Sequence, residues 1–535
     1  MKEGLRQSMA WLHSWAGLLV GWVLFFVFVT GTLGYVNTEI DHWMRPEEPL
    51  LSRPLPPQEL LPRAVDYLRA KAPDAQNWYI TFPGARGNRD FTAAWRERPA
   101  EGEEYGKYTR DRLDQATGRR IVAEPRETGG GSTLYRMHYE LHYMPYDWGI
   151  RIVGICAMFM LVAIVSGVIT HKKIFADFFT FRPAKGQRSW LDGHNLLSVA
   201  GLPFHLMITY SGLVIFMFAY MPVGPDLIFG ADQRDRFFQQ AYGYEPQDDK
   251  PPAPHAVLAP IGPMIAQAEQ MWGPGQIDRV SIDNPGRADA RVFVSRVSGS
   301  TLTWGGDLRF DGVSGKFHPE PEKPPRTANV IGDVLRSLHE GIFAGPIIRL
   351  LYLICGASGA AMIGTGLTLW STKRKVKLAK SGKAHFGIAV VDRLNVGTII
   401  GLPIAVAAYF WANRLIPVGL EHRADWEVHA MFITWAVMFI YPIWRPLPRA
   451  WIEMCWLAAA AFALIPLLNA LTTDRHLGVS IPAGDWILAG FDLSALGTGL
   501  FFGWLARKLA RRAAQPAPAA RKTRSPAVPA PQVAH

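Results

Sequence analysis

The chain has 535 residues, of which 49% are hydrophobic, and its formal net charge is +11. This hydrophobic fraction is ordinary for a soluble protein, but the apolar residues are concentrated in long runs with almost no charge. Three cysteines form neither CxxC nor CxxCH, so the sequence supports neither a thiol redox motif nor a covalently attached haem. No basic soluble face points to a nucleic-acid partner.

Runs of about 20 apolar residues can cross a bilayer core of roughly 30 Å, and eight such runs follow one another along the chain. The first is too long for a signal peptide and lacks a small-residue cleavage site, so we expect an uncleaved span. The eight predicted spans are Trp11–Val36, Gly149–Thr170, Leu196–Tyr220, Gly345–Trp370, Leu394–Leu415, Trp426–Trp444, Trp451–Leu471 and Trp486–Leu505. The expected fold is an all-α multi-pass bundle surrounded by membrane lipid.

Basic segments indicate the orientation of this bundle. Lys172–Arg188 and Lys373–Lys383 follow the second and fourth spans, and Arg445 and Arg449 join the sixth to the seventh. With eight spans these segments lie on the same side as the N-terminus, and the positive-inside rule assigns that side to the cytoplasm. We therefore expect both termini in the cytoplasm, with a disordered Pro- and Ala-rich tail over residues 513–535.

Two long polar segments, residues 37–148 and 221–343, face outward and can each form a small α+β module. Each contains a helical stretch (Pro57–Ala72 and Ile261–Met271), alternating strands, and an Asp-x-x-Thr/Ser-Gly sequence typical of a tight turn. The span–module–span unit therefore occurs twice. Because both copies start inside, a pseudo-twofold axis along the membrane normal would place equivalent residues opposite each other.

Histidines occupy equivalent positions in these two units. His13 and His194 lie at the cytoplasmic ends of spans one and three, and His142 and His339 lie at the outer ends of spans two and four. Haem iron accepts axial histidines readily, and ionisable residues at membrane depth are functional by default. We predict one haem near each surface, with these four histidines as the axial ligands of the two irons.

Other histidines keep the ligand assignment open. His205 follows His194 by eleven residues, about three helical turns, and so lies on the same helix face. His171 closes the second span. Either could ligate a further haem or replace a member of the His13/His194 pair. A histidine at the interface can also be a simple hydrogen-bonding anchor.

At the outer end, His138 lies one turn before His142 and could be the true ligand or a partner of the ligand. Arg151 and Arg349 are matched by the repeat and lie just inside the outer boundary. They could neutralise haem propionates, or they could extend to lipid headgroups. All three residues therefore count as candidates for cofactor binding.

These residues belong to longer motifs. They include Leu12-His13-Ser-Trp-Ala-Gly17, Leu141-His142 with Gly149 and Arg151, Ser189-Trp-Leu-Asp-Gly-His194, Leu202-Pro-Phe-His205 and Leu338-His339-Glu-Gly341. The motifs resemble those of the PepSY-associated transmembrane-helix family of bacterial inner-membrane proteins. The resemblance covers a core at residues 1–375. Residues 394–507 resemble a C-terminal four-helix extension of longer members, for which the sequence indicates no role.

The resemblance implies an inner-membrane oxidoreductase similar to the haem-containing reductases of ferric siderophores. It implies two b-type haems, one held by His13 and His194 and the other by His142 and His339. The acceptor would be a ferric siderophore or another periplasmic acceptor in iron uptake. Reduction would release iron from a siderophore, because Fe(II) binds hard oxygen ligands less well than Fe(III). The sequence contains no nucleotide-binding glycine loop, so a quinol or a cytoplasmic reductant is the expected electron donor.

Two other functions remain open at this point. A metal-binding permease would use histidines along a transport path, but apart from His205 the mid-membrane positions are poor in ligands. A non-catalytic regulator would bind a partner through its PepSY-like modules, and it would not require matched histidines at both surfaces.

Overall fold

The computed structural model describes most of the chain. The described residues are 3–48, 54–84, 90–100, 106–122, 125–171, 182, 186–221, 223–230, 236, 253–297, 302, 306–319, 327–379 and 385–514. The predicted disordered tail from residue 515 onward and much of the predicted basic segment Lys172–Arg188 lie outside this set. We call the end of the spans that the sequence assigns to the cytoplasm the inner end, and the opposite end the outer end.

The first half of the core starts with a long apolar helix and returns to the membrane after the first outer segment. Its elements are α1 (Glu3–Gly34), α2 (Asn37–Met44), α3 (Pro57–Lys71), β1 (Asn77–Thr81), β2 (Thr92–Arg96), β3 (Tyr108–Arg112), α4 (Gly130–Glu140) and α5 (Tyr146–Thr170). Helices α1 and α5 are spans, and the short helix α4 packs against both of them.

The second half of the core contains a larger set of elements. Its elements are α6 (Gln187–Ala200), α7 (Leu202–Ile215), α8 (Met217–Tyr220), α9 (Val223–Phe229), α10 (Gly262–Trp272), β4 (Ile277–Asp283), β5 (Arg291–Arg296), β6 (Asp307–Asp311), β7 (Phe317–His318), α11 (Thr327–Glu340) and α12 (Pro346–Ala379). Where one straight span was expected, α6 and α7 meet at an angle of 66°. The break lies at Gly201. Pro203 follows two residues later and has no N–H, so it cannot donate the hydrogen bond that would continue the helix.

The C-terminal extension is helical throughout its described length. Its elements are α13 (Phe386–Ile399), α14 (Gly401–Leu415), α15 (Arg423–Trp444), α16 (Leu447–Ala463), α17 (Ile465–Thr472), α18 (Leu477–Ser480) and α19 (Trp486–Ala513). Among the described residues, seven helices or joined helix pairs are long and apolar enough to cross a membrane, or eight if α6 and α7 form one span. The prediction of a multi-pass helical membrane bundle is confirmed at this level.

The strands of both outer segments lie in one antiparallel sheet, with the order β3-β2-β1-β4-β5-β6-β7. Its centre is the pairing of β1 with β4, where Trp78 lies opposite Ile282 and Ile80 opposite Val280. These four residues are buried together with residues of α3 and α10. The sequence predicts a separate module in each segment. In the structure the two modules share one sheet. The pairing of β1 with β4 covers an edge that each strand would otherwise leave unpaired.

Candidate functional site

Two histidines face each other at the inner end of the bundle. The rings of His13 on α1 and His194 on α6 have their centroids 6.1 Å apart. His13 Nδ1 lies 2.8 Å from the carbonyl oxygen of Ala163 on α5, and His194 Nδ1 lies 2.9 Å from that of Met362 on α12. A carbonyl oxygen only accepts hydrogen bonds, so each Nδ1 donates and each Nε2 keeps its lone pair.

Each inner ring also rests on a glycine of the helix to which it donates. A Cβ added to Gly167 would lie 3.2 Å from Cε1 of His13, and one added to Gly366 would lie 3.1 Å from Cε1 of His194. In both cases the accepting carbonyl belongs to the residue four positions before that glycine. The absence of a side chain lets the imidazole lie flat enough on the helix to reach this carbonyl.

A second facing pair lies at the outer end. The rings of His138 on α4 and His339 on α11 have their centroids 6.0 Å apart. His138 Nδ1 donates to the carbonyl of Val27 at 2.8 Å. The His339 ring bonds the backbone of Ile208, and its Nδ1 lies 2.9 Å from Ser211 Oγ. Each outer ring is thus held by a helix of the bundle, α1 for His138 and α7 for His339.

Glycines lie under the outer rings too. A Cβ added to Gly31 would lie 2.5 Å from Nδ1 of His138, and one added to Gly212 would lie 3.0 Å from Cε1 of His339. Again the accepting carbonyl is four residues earlier. The four glycines are the second members of four small-residue pairs in the spans, Thr30-Gly31, Ser166-Gly167, Ser211-Gly212 and Thr365-Gly366.

The Nε2 atoms of the four rings take part in no hydrogen bond with the described part of the chain. His138 and His339 lie on short helices outside the spans, and burial lowers the pKa of both, that of His339 to about 3. Both are therefore neutral at ordinary pH. A neutral imidazole with its Nδ1–H bonded to a carbonyl is the form that binds metals through Nε2.

A cavity of about 420 Å³ opens beside the outer pair, within the size range of small-molecule and cofactor sites. Its walls come from both halves of the core and are largely apolar and aromatic. They include His138, His339, Tyr135, Tyr139, Tyr146, Tyr220, Phe216, Gly31, Gly212, Gly356, Arg336 and Glu340. The space is thus bounded by both imidazoles, by glycines and by one guanidinium group.

His142 does not lie opposite His339, contrary to the predicted pairing. Helix α4 ends before it, and Leu141 and Tyr143 on either side adopt left-handed backbone angles, with φ of 50° and 65°. This turn directs the His142 ring away from the cavity and onto Phe432 of α15, at a centroid distance of 5.8 Å. His138, the alternative one turn earlier, takes the facing position.

The two remaining histidine candidates, His205 and His171, make other contacts. His205 is 1% exposed, and its Nε2 lies 3.4 Å from the carbonyl of Cys355. Its ring lies near Gly359, four residues after that carbonyl, and so rests on a glycine as the four facing rings do. Among the ring contacts of the described residues, however, no imidazole faces it. His171 Nε2 accepts a hydrogen bond from Asn195 Nδ2 at 2.8 Å.

The candidate arginines are also separated from the cavity. Arg151 is exposed on α5, and Arg349 forms an ion pair with Glu39. The guanidinium that lines the cavity is that of Arg336, which is 2.9 Å from Glu340 Oε1. Sequence reasoning missed Arg336, although its position one turn before His339 was a usable signal.

The comparisons agree with this core. The profile of the PepSY-associated TM region matches residues 10–373, which include all four facing histidines and the four glycines beneath them. No curated protein matches the chain. Since the matched region covers more than half of the sequence, the chain belongs to the family of membrane proteins with a PepSY-associated TM region.

Proposed function

We propose that this protein carries electrons across the membrane through two haems, one held by His13 and His194 and the other by His138 and His339. The observation that supports this most directly is the two facing imidazole couples, one at each end of the bundle. In both couples the Nδ1 atoms have neighbouring hydrogen-bond partners, whereas the Nε2 atoms make no hydrogen bond with the described residues.

The number of protein ligands favours haem over a bare ion. Structural zinc sites use four protein ligands and catalytic ones three, yet no group of three or more His, Cys, Asp or Glu suited to a metal ion occurs among the described residues. A haem iron needs only two axial ligands from the protein, since the macrocycle supplies the others. Two imidazoles without a third ligand therefore suit haem.

The spacing of the rings is compatible with one iron in each couple. Metal–imidazole bonds of about 2 Å, with about 1 Å more from each Nε2 to its ring centre, separate the centroids by about 6 Å. The centroid distances are 6.1 Å and 6.0 Å. The outer cavity and the glycines supply room for a flat group between the helices.

The two sites lie at opposite ends of the spans. His13 and Gly31 are 18 residues apart on α1, which corresponds to about 27 Å along the helix axis. A haem bound at each end supplies a one-electron Fe(III)/Fe(II) couple. The chain itself holds the imidazoles through hydrogen bonds and surrounds them with apolar side chains, and the Arg336–Glu340 ion pair lies beside the outer site.

The proposed reaction is the one-electron reduction of a ferric chelate, such as a ferric siderophore, on the outer side. A reductant on the inner side is oxidised in exchange: a quinol gives up two electrons and two protons and so reduces two ferric chelates in turn, whereas a one-electron donor reduces one. Reduction releases iron because Fe(II) is held less tightly by hard oxygen ligands. The inner-membrane location and the cytoplasmic termini form part of this proposal, since they define which side donates the electron.

Reconstitution of the full chain into liposomes tests this function. With a reductant trapped inside and a membrane-impermeant ferric chelate outside, we expect Fe(II) formation that depends on the protein. His194→Ala and His339→Ala should each reduce the rate at least tenfold, because each breaks one of two sites that act in series. Equal rates for these variants and the unaltered chain would refute electron transfer through the couples.

A further inference from the structure

The C-terminal extension contains a charged pair that is completely buried. Arg423 and Glu427 lie one turn apart on α15, form an ion pair, and are each 0% exposed. Burying two charges costs more than their mutual attraction returns unless further hydrogen bonds satisfy both groups. The partners of this pair therefore indicate what the pair does.

Most of these partners belong to the segment that leads into α4, and so to the core. Thr128 Oγ1 donates to Glu427 Oε2 at 2.6 Å, and the Gly129 N–H donates to the same oxygen at 3.1 Å. Arg423 Nη1 donates to the carbonyl of Glu127 at 2.8 Å. The Glu427 carboxylate thus lies at the N-terminus of α4, where exposed N–H groups and the helix dipole favour negative charge.

Helix α14 adds two contacts to the same segment. Asn413 Nδ2 donates to Glu427 Oε1 at 2.7 Å and lies 3.1 Å from Thr128 Oγ1. Tyr409 donates its hydroxyl to the carbonyl of Gly130 at 2.9 Å. A Cβ at Gly129 would lie 2.5 Å from the Tyr409 hydroxyl. The start of α4 is therefore enclosed by side chains of the extension on several sides.

The neighbouring helix α2, which packs against α4, is attached to the extension as well. His42 Nε2 lies 2.9 Å from Asp485 Oδ2, and Trp43 Nε1 donates to Asp492 Oδ1 at 2.9 Å. Both carboxylates are buried. Helix α2 also reaches α4 directly, since the Gly131 N–H donates to Asp41 Oδ1 at 2.9 Å.

Helix α4 carries His138 eight residues after its first residue, about 12 Å along its axis. A rigid helix of this length transmits a displacement of its start to the His138 ring. We propose that the extension positions α4, and through it the outer imidazole couple, with Arg423 and Glu427 as positioning residues rather than ligands. The effect on a haem rests on the proposed function, whereas the effect on α4 does not.

Two readouts test this inference on the full-length protein. Glu427→Gln removes the charge with little change of shape. Thr128→Val removes the hydrogen bonds of the Thr128 hydroxyl, to Glu427, Asn413 and the Gly130 N–H, while leaving the Arg423–Glu427 pair intact. For both variants we expect amide hydrogen exchange in residues 128–138 to rise about tenfold, the size expected from a lost hydrogen bond to a charged group. We also expect the midpoint potential of the outer haem to shift while that of the inner haem stays constant.

Glu453→Gln is the matched control. Glu453 lies in the same extension, pairs with Arg445 and accepts from Tyr441 at 2.7 Å, and both partners belong to the extension. This variant should change neither readout. Unchanged exchange in α4 for Glu427→Gln and Thr128→Val would overturn the inference, as would equal shifts of both haems. If the protein holds no haem, the exchange measurement still decides the role of the extension while the proposed function fails.

Discussion

Replacing His138 or His339 with alanine is expected to remove one of two haems per chain, whereas His142→Ala should retain both. Each facing histidine supplies one of the two axial bonds that hold the outer group in the proposed site. Loss of either bond should halve the haem content, measured as haem per purified chain from the absorption of the extracted pigment. His194→Ala should give the same halving through the inner site.

The comparison of His138 with His142 is the sharpest part of this experiment. The two residues lie one turn apart, are of the same type, and differ in whether the ring faces His339 or stacks on Phe432. If His142→Ala lost a haem while His138→Ala kept two, the outer pair would be assigned to the wrong residue.

A methyl group at Gly31 is expected to damage the outer site as severely as the loss of a ligand. The added Cβ would lie 2.5 Å from His138 Nδ1, and the ring cannot retreat without breaking its bond to the Val27 carbonyl. Overpacking of this kind costs about 1–3 kcal/mol. We expect Gly31→Ala to lower the haem content towards one per chain, measured by titrating haem into the purified apoprotein.

Gly17→Ala provides the control on the same helix. No heavy atom lies within 4 Å of a Cβ built at Gly17, and alanine favours a helix over glycine by about 1 kcal/mol. This variant should bind haem like the unaltered chain. Full haem binding by Gly31→Ala would show that the ring does not need its position on the glycine.

The membrane architecture could be read from the sequence because long apolar runs have few alternatives in a bilayer. The facing of His13 and His194 could also be predicted, since the two residues occupy equivalent positions in the predicted repeat. The bend at Gly201 was missed, although Pro203 marks a position where a helix tends to break. The apolar composition therefore predicted where the spans lie, but it did not predict which of them is bent.

The position facing His339 is taken by His138 rather than by the predicted His142, for a physical reason. His138 and His142 would share a face if the helix continued, and only the left-handed turn at Leu141 and Tyr143 separates them. Non-glycine residues rarely adopt such angles, so neither residue signals the turn. Tertiary packing holds Leu141 and Tyr143 in these unfavourable backbone angles, and a single sequence does not show that packing.

The small residues and the buried charges illustrate the same limit. Thr30-Gly31 is visible as a small pair within a span, but the ring that rests on Gly31 comes from a residue more than one hundred positions later. Glu427 is visible as a charge near a span end, while Thr128 and Gly129 are about 300 positions away in the chain. Only the fold identifies the partners of these residues.

The most direct test is the low-temperature electron paramagnetic resonance spectrum of the oxidised full-length protein, purified after haem-replete expression, together with its haem content. Two low-spin ferric signals, one abolished by His194→Ala and the other by His339→Ala, are the expected result. A protein without haem, or one whose haem is high-spin and insensitive to both substitutions, would contradict the assignment of the facing histidines as iron ligands.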